Sequence, residues 1–227
     1  MFTEVPPHYD LINTVVTWGL DRRWRMSAAE ECLRSESETF LDLCCGTGDL
    51  ALTVCRLGGG GVGVAGVDYS LPMLAIARAK SVSLSKDRHI SFIHGDAGSL
   101  PFPEASFDCV GISFAFRNLT YKNPLAGQHL TEVRRVLNAG GRYVIVETSQ
   151  PNSKLVRRIF HCYLRWFVRN VGFWLSGNKG AYNYLAESAA SFYTAGEVKN
   201  MLLEAGFREV RYRRFLFGAA GIHIAVK

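Results

Sequence analysis

Residues 39–52, TFLDLCCGTGDLAL, hold a short apolar run, an acid, a turn bracketed by glycines, a second acid and the start of a helical pattern. Phe40, Leu41 and Leu43 read as a buried strand, since a short apolar run bounded by turn residues belongs in a core. Gly46 and Gly48 supply a turn in which backbone can approach a ligand with no Cβ in the way. Asp49 then opens a helix running to about Arg56, whose first N–H groups face the same ligand. The next apolar run, VGVAGVDYS over 62–70, ends at Asp68. In an open α/β sheet that strand tip lies beside the first turn, so Asp68 is placed to accept both hydroxyls of a ribose. The arrangement predicts an α/β fold with an adenosine-type cofactor.

The acids decide which cofactor. A dinucleotide turn carries G-x-G-x-x-G, with a third glycine and no acid ahead of it, so that a pyrophosphate can rest on the helix N-terminus. Here Asp42 precedes Gly46 and Asp49 follows Gly48. Acids on both sides repel a pyrophosphate and suit a ligand with an amino group and a positive centre, which points to S-adenosylmethionine. Asp42, Gly46, Gly48 and Asp68 are therefore candidate cofactor residues. Strand three, Ile90 to His94, leads into Gly95-Asp96-Ala97. An acid at that strand end can accept the adenine amino group; the alternative for Asp96 is an Asx turn closed on its own backbone.

With 227 residues and 48% hydrophobic content, the chain can bury one substantial core, and it reads as a single domain over 1–227. A net charge of +6 admits nucleic acid, an anionic membrane surface or neither. The six cysteines form no C-x-x-C pair, so free buried thiols in a reducing compartment are expected, without a metal site or a disulfide framework. The opening MFTEVPPHYDL lacks the order of a signal peptide, and no apolar run reaches the length of about 18 residues that spans a bilayer. The expected location is cytoplasmic, with peripheral membrane contact open.

In chain order, residues 9–25, YDLINTVVTWGLDRRWR, show helical alternation broken at Gly19. They predict two short helices in an N-terminal cap of about 6–35. The cap packs Leu11, Val15 and Trp18 on the core, or forms a lid that brings Tyr9 and Trp24 over cofactor and acceptor, or does both. Ser70 caps a helix with Pro72 in its first turn, and Met73 packs on adenine or in the core. Strand four, Cys109 to Ser113, delivers Phe114, Arg117 and Asn118 to the rim of the site. A helix over 123–138 is expected to stop at Ala139-Gly140-Gly141 as a glycine C-cap, ahead of a strand from Tyr143 to Thr148. Residues 154–176, inside a helical insertion of about 150–192, interleave arginines with aromatic and aliphatic residues. Such a helix lies in a membrane interface or packs on the core with solvated arginines. No nucleic-acid reader motif accompanies it, and no nucleic-acid partner is expected. A helix over 196–206 and strands over 209–213 and 221–227 close the chain.

The strings YDLINTVVTWGLDRRWR, DLCCGTGDLA, SFAFRNLT, EVRRVLNAGGRYVIVETSQP, YNYLAES and EAGFREV, with the late Gly218 and His223, occur in that order. Together they resemble the ubiquinone/menaquinone biosynthesis C-methyltransferase family, from about Tyr9 to His223. The resemblance implies a class I methyltransferase Rossmann-like fold: a seven-stranded mixed sheet with helices on both faces and its last strand antiparallel. It implies methyl transfer from S-adenosylmethionine to a ring carbon of a lipophilic quinol, demethylmenaquinol or the ubiquinone-pathway benzoquinol. Another small aromatic or lipid acceptor is the alternative, and a homodimer is open. Matched position by position, Thr47, Asp68, Asp96, Ala97 and Ser113 correspond to cofactor contacts of the family. The chain departs from the family pattern at Cys44-Cys45, Tyr121, Ala190, Tyr193 and Leu216, the last four expected near the acceptor.

A methyl sulfonium is already electrophilic, so the enzyme must mainly align it with a nucleophilic carbon and exclude water. Ionising a quinol hydroxyl raises the nucleophilicity of the adjacent carbon. Arg117 beside Asn118 is the candidate pair to stabilise the phenolate and hold a water as proton acceptor. The alternative for Arg117 is a structural pair with a surface acid. Tyr9, Tyr182 and His223 are further candidates for the quinol ring.

Overall fold

The computed structural model describes residues 9–34, 37–84, 88–176 and 179–227. Seven strands, β1 (Thr39–Leu43), β2 (Gly63–Asp68), β3 (Ile90–His94), β4 (Phe107–Ser113), β5 (Leu137–Thr148), β6 (Glu209–Phe215) and β7 (Ala220–Val226), form one sheet in the order β3-β2-β1-β4-β5-β7-β6. β1 to β5 run parallel, while β7 is antiparallel to both neighbours, β5 and β6. Every tip of the parallel strands therefore points to one edge, where ligands bind in open α/β sheets.

β1 explains why the sheet closes as it does. It pairs on both sides, and period-two alternation sends Phe40 to one face and Leu41 and Leu43 to the other, all fully buried. The Phe40 layer meets α2 (Leu20–Cys32), α3 (Asp49–Gly58) and α4 (Leu71–Ser81) through Trp24, Ala28, Leu50, Val54 and Leu74. The Leu41 layer meets α5 (Phe116–Thr120), α6 (Ala126–Val136) and, through Val198 and Leu202, α10 (Ala195–Glu204). A third apolar cluster lies over the strand tips. There Ile12 and Val16 of α1 (Tyr9–Val16) pack with Leu164, Val168, Ala186 and Ala189. The last four come from the insertion: α7 (Lys154–Tyr163), a π-helical turn (Leu164–Val168), α8 (Arg169–Ser176) and α9 (Lys179–Ala190).

Gly19, left-handed at φ 72°, separates α1 from α2 as its lack of a side chain suggests. The expected stop of α6 at the Gly140-Gly141 pair does not occur. α6 ends at Val136 and the chain passes straight into β5, where pairing jumps from Phe107↔Leu137 to Cys109↔Arg142. Gly140, at φ 75°, lets β5 bulge across that jump, so the pair serves a strand irregularity. Phe116 to Thr120 forms a short helix that the rim reading lacked. Of the cysteines, Cys32, Cys45, Cys55 and Cys109 are buried and Cys44 half-buried, but Cys162 is exposed on α7, against the expectation of buried thiols. Among the described residues no helix is long and apolar enough to cross a membrane.

The cap is tied to the sheet by one buried cation. Arg142 on β5 donates from Nη1 to the carbonyl of Glu31 at 2.8 Å and from Nη2 to those of Cys32 at 3.2 Å and Arg34, and to Ser37 Oγ at 2.9 Å. It thus satisfies the orphan carbonyls at the end of α2. Arg142→Ala is expected to cost about 3 kcal/mol, because those carbonyls stay buried without partners. The check is a lowered urea midpoint at unchanged slope.

Candidate active site

The turn after β1 is built from three left-handed residues, Cys44 at φ 52°, Gly46 at φ 54° and Gly48 at φ 80°. They reverse the chain within a few residues and feed it into α3. The two glycines are needed for different reasons. A Cβ on Gly48 would sit 2.9 Å from Phe92 Cζ and 3.0 Å from Ala77 Cβ, whereas one on Gly46 would meet nothing within 4 Å. Gly48 lets the turn press on the core, and Gly46 faces open space. Asp68 joins this turn to the next: its Oδ2 accepts the Gly46 N–H at 2.8 Å and its Oδ1 the Ser70 N–H at 2.8 Å. Asp42 is buried beneath, accepting the Ala51 N–H at 2.9 Å. Burial, reinforced by the Asp68 and Asp49 carboxylates, pushes its carboxyl up to about 8.

Over the turn lies a charge network that neither periodicity nor motif spacing indicated. Lys80 of α4 stands 2.5 Å from Asp10 of α1 and 2.7 Å from Asp49 of α3, and donates to Thr47 Oγ1 at 3.0 Å. Thr47 in turn donates to Asp10 at 2.8 Å. Arg25 of α2 pairs with Asp21 and lies 3.3 Å from Asp49. Four helices are thus locked to one turn by side chains far apart in sequence.

A cavity of about 960 Å³ opens over the tips of β1, β2 and β4. One half is acidic, with Asp10, Asp21, Asp42, Asp49 and Asp68 in or at its wall. The other half is apolar, lined by Trp24, Phe114, Phe160, Leu164, Val168 and Leu185 among others. Thr47, Gly46, Asp42, Asp68 and Ser113 are brought together in this lining, and Gly48 stands behind it. Ser113 Oγ is buried with no hydrogen-bond partner among the described residues, an acceptor and donor turned to the cavity wall. Asp96 and Ala97 are not in the lining: Asp96 Oδ1 accepts the Gly98 N–H at 2.8 Å in an Asx turn, and Ala97 is core.

Arg117 and Asn118 both line the cavity. The Arg117 guanidinium is buried, and its Nη1 donates to Glu147 Oε1 at 3.1 Å and to Thr148 Oγ1 at 3.0 Å. Its backbone N–H donates to Glu147 Oε2 at 3.1 Å. The acid that pairs with Arg117 is therefore an interior one at the tip of β5, where a surface acid was the expected structural alternative. Glu147 closes its strand in the sequence, but nothing there marked it as this partner.

Trp24 and Met73 line the cavity, Trp24 stacked on Phe215 at 6.0 Å. The side chains of Tyr9 and Tyr182 lie outside the described part of the structure. His223 faces elsewhere: it packs on Tyr212 at 4.5 Å, its Nε2 lies 3.2 Å from the Ala195 carbonyl, and burial pushes it down to about 4. Of the departures expected near the acceptor, only Leu216 lines the cavity. Tyr121 packs edge-on against both Phe192 and Tyr193, and Ala190 belongs to the cap–insertion core, so these three substitutions are packing choices.

A sequence model of the ubiE/COQ5 methyltransferase family matches residues 1–227. A demethylmenaquinone methyltransferase from Thermus thermophilus is 40% identical over 224 residues, 99% of this chain and 98% of that one. A ubiquinone/menaquinone biosynthesis C-methyltransferase, UbiE, from Geobacter sulfurreducens is 37% identical across 100% of this chain and 87% of its own. Among solved structures, a SAM-dependent methyltransferase from Aquifex aeolicus superposes with a TM-score of 0.64 at 17% identity, covering 96% of each chain, a likeness of fold.

The two glycines of the turn make separable expectations. Gly48→Ala should cost about 3 kcal/mol, combining left-handed strain with displacement of the Phe92 ring, while Gly46→Ala should cost about 1 kcal/mol from strain alone. Chemical denaturation of both variants gives the comparison, and equal losses would refute the assignment of Gly48 to core contact.

Proposed function

The chain belongs to the ubiE/COQ5 methyltransferase family, and from that premise we propose that it transfers a methyl group from S-adenosylmethionine to a ring carbon of a prenylated hydroquinone. Demethylmenaquinol and the ubiquinone-pathway benzoquinol are the two acceptors of this type. The observation that carries this reading is one continuous cavity with an acidic half at the strand tips and an apolar half under the cap and insertion. A cationic donor and an oily ring need those two environments side by side. We take the chain to act as one domain in the cytoplasm, where its acceptor is held at the inner face of a membrane.

The residues fit the cofactor. Asp68 offers its carboxylate to the ribose, the open front of Gly46 admits backbone approach, and Ser113 Oγ has an unused hydrogen-bonding capacity. Asp42 and Thr47 in the lining and Gly48 behind it complete this grip, whereas Asp96, closed in its Asx turn, and Ala97, in the core, stand outside it. When bound, S-adenosylmethionine supplies an electrophilic methyl group on a positively charged sulfur. Asp42, Asp49 and Asp68 stabilise that charge. Arg117, oriented by Glu147, lowers the cost of ionising the quinol hydroxyl, and Asn118 beside it holds the water that takes the proton. The cap residues Trp24 and Val16 exclude bulk water, which strengthens each of these interactions.

Three outcomes follow. Labelled methyl groups should enter reduced prenylated naphthoquinols or benzoquinols and bypass water-soluble phenols; the opposite preference defeats the acceptor assignment. Arg117→Ala should lower kcat by about 100-fold or more with cofactor affinity retained, since one preorganised donor commonly contributes that much. Cofactor affinity should also rise from pH 6.5 to 8.5. Asp42 is largely protonated below its value of about 8, a bound cation favours the carboxylate, and binding therefore releases a proton. Calorimetry in buffers of different ionisation enthalpy measures that proton, and Asp42→Asn should abolish both the release and the slope.

A further inference from the structure

The helical stretch from α7 through α8 carries an apolar face that packing does not use. At about 100° per residue, Leu155, Ile159, Cys162 and Trp166 share one stripe on the outer side, away from the buried Leu164 and Val168. Leu155 is 69% exposed, Ile159 61% and Trp166 71%, and Trp174 further along is 85% exposed. Arg158, Arg165 and Arg169 flank this stripe, all exposed and without an ion-pair partner among the described residues.

Charge is concentrated in the same place. Between Glu147 and Glu187 the chain has six Lys and Arg and no acid; the remaining 20 Lys and Arg are matched by 20 Asp and Glu. The whole net charge of +6 therefore resides in residues 148–186. The stripe is also continuous with the cavity: Ile159, Trp18 and Leu216 line its apolar half and are exposed at its rim. Phe217, next to Leu216, is exposed as well.

We infer that this face docks on a lipid bilayer bearing anionic headgroups, and that the acceptor enters the apolar half of the cavity directly from the membrane past Trp18, Ile159 and Leu216. Exposed aliphatic and indole groups beside arginines match the acyl–headgroup boundary. A second copy of the chain is a poor occupant, because a two-fold self-interface would bring two uncompensated cationic stripes together. The docking surface stands on the helix itself; only the route of the acceptor rests on the proposed function.

The test uses the full chain with phosphatidylcholine vesicles, with and without phosphatidylglycerol. Sedimentation should show binding that needs phosphatidylglycerol, weakens with salt and is not displaced by inorganic phosphate; displacement by phosphate would reduce the face to an anion site and overturn the proposal. Arg165→Glu with Arg169→Glu, and separately Trp166→Glu, should each lower partitioning about tenfold or more at an unchanged melting temperature. Those variants should still methylate a short-chain, water-soluble quinol at the parent rate while losing turnover of a long-chain quinol held in vesicles. Unchanged vesicle binding by both variants, or loss of a dimer in light scattering without loss of vesicle binding, refutes the docking surface. Vesicle binding that behaves as stated, with no methyl transfer to any quinol, refutes the acceptor and leaves the surface standing.

Discussion

The carboxylate of Asp68 is the constraint on which the site depends. Each of its oxygens accepts one backbone N–H, Gly46 on one side and Ser70 on the other, so the turns after β1 and β2 are held at a fixed spacing. Hydrogen bonds to an ionised acceptor are about twice as strong as neutral ones, and two of them from different loops act as a rigid strut. Parallel pairing brings the strand tips near each other, but it does not determine how the loops beyond them stand. Asp68 does that, and the same geometry keeps its carboxylate at the cavity wall, where a ribose can reach it.

The second layer of order is electrostatic and comes from the cap. Asp10, Asp49 and Lys80 alternate in sign around Thr47, and Arg25 extends the chain of charges to Asp21. The Lys80 side chain is 29% exposed and that of Asp10 37%, which places the pair near the surface, where an isolated ion pair contributes little. As a network around one hydroxyl it has a different effect: it determines where α1 and α2 rest rather than how firmly the protein folds. The buried Arg142, bound to the end of α2, supplies the firmness from the opposite end of the cap.

Much of this was legible because it is local. The strand–glycine–helix pattern at 39–52, the acid at 68, the break at Gly19 and the capped helix after Ser70 each follow from a few neighbouring residues, and the structure agrees on all of them. The antiparallel β7 came from family resemblance, since nothing in AGIHIAV states its direction. What was not legible is what depends on distance along the chain. Glu147 meets Arg117, Lys80 meets Asp10, and Tyr121 turns into an aromatic cluster, only after the sheet has formed. The glycine pair at 140–141 misled for a related reason: a helix C-cap and a β-bulge ask for the same left-handed residue, and only the pairing partner on β4 distinguishes them.

α1 belongs to both halves of the molecule, and this shapes how they work together. One side of it carries Asp10 to the glycine turn; the other sends Ile12 and Val16 into the cluster with Leu164 and Val168 of the π-helical turn. Just beyond it, Trp18 donates to Tyr163 Oη at 3.1 Å, and the Tyr163 hydroxyl donates to the Val16 carbonyl. A helix of eight residues cannot bend between these two sets of contacts, so a shift at either end is a shift at both. The cap is thus the element that borders the acidic half and the oily one alike.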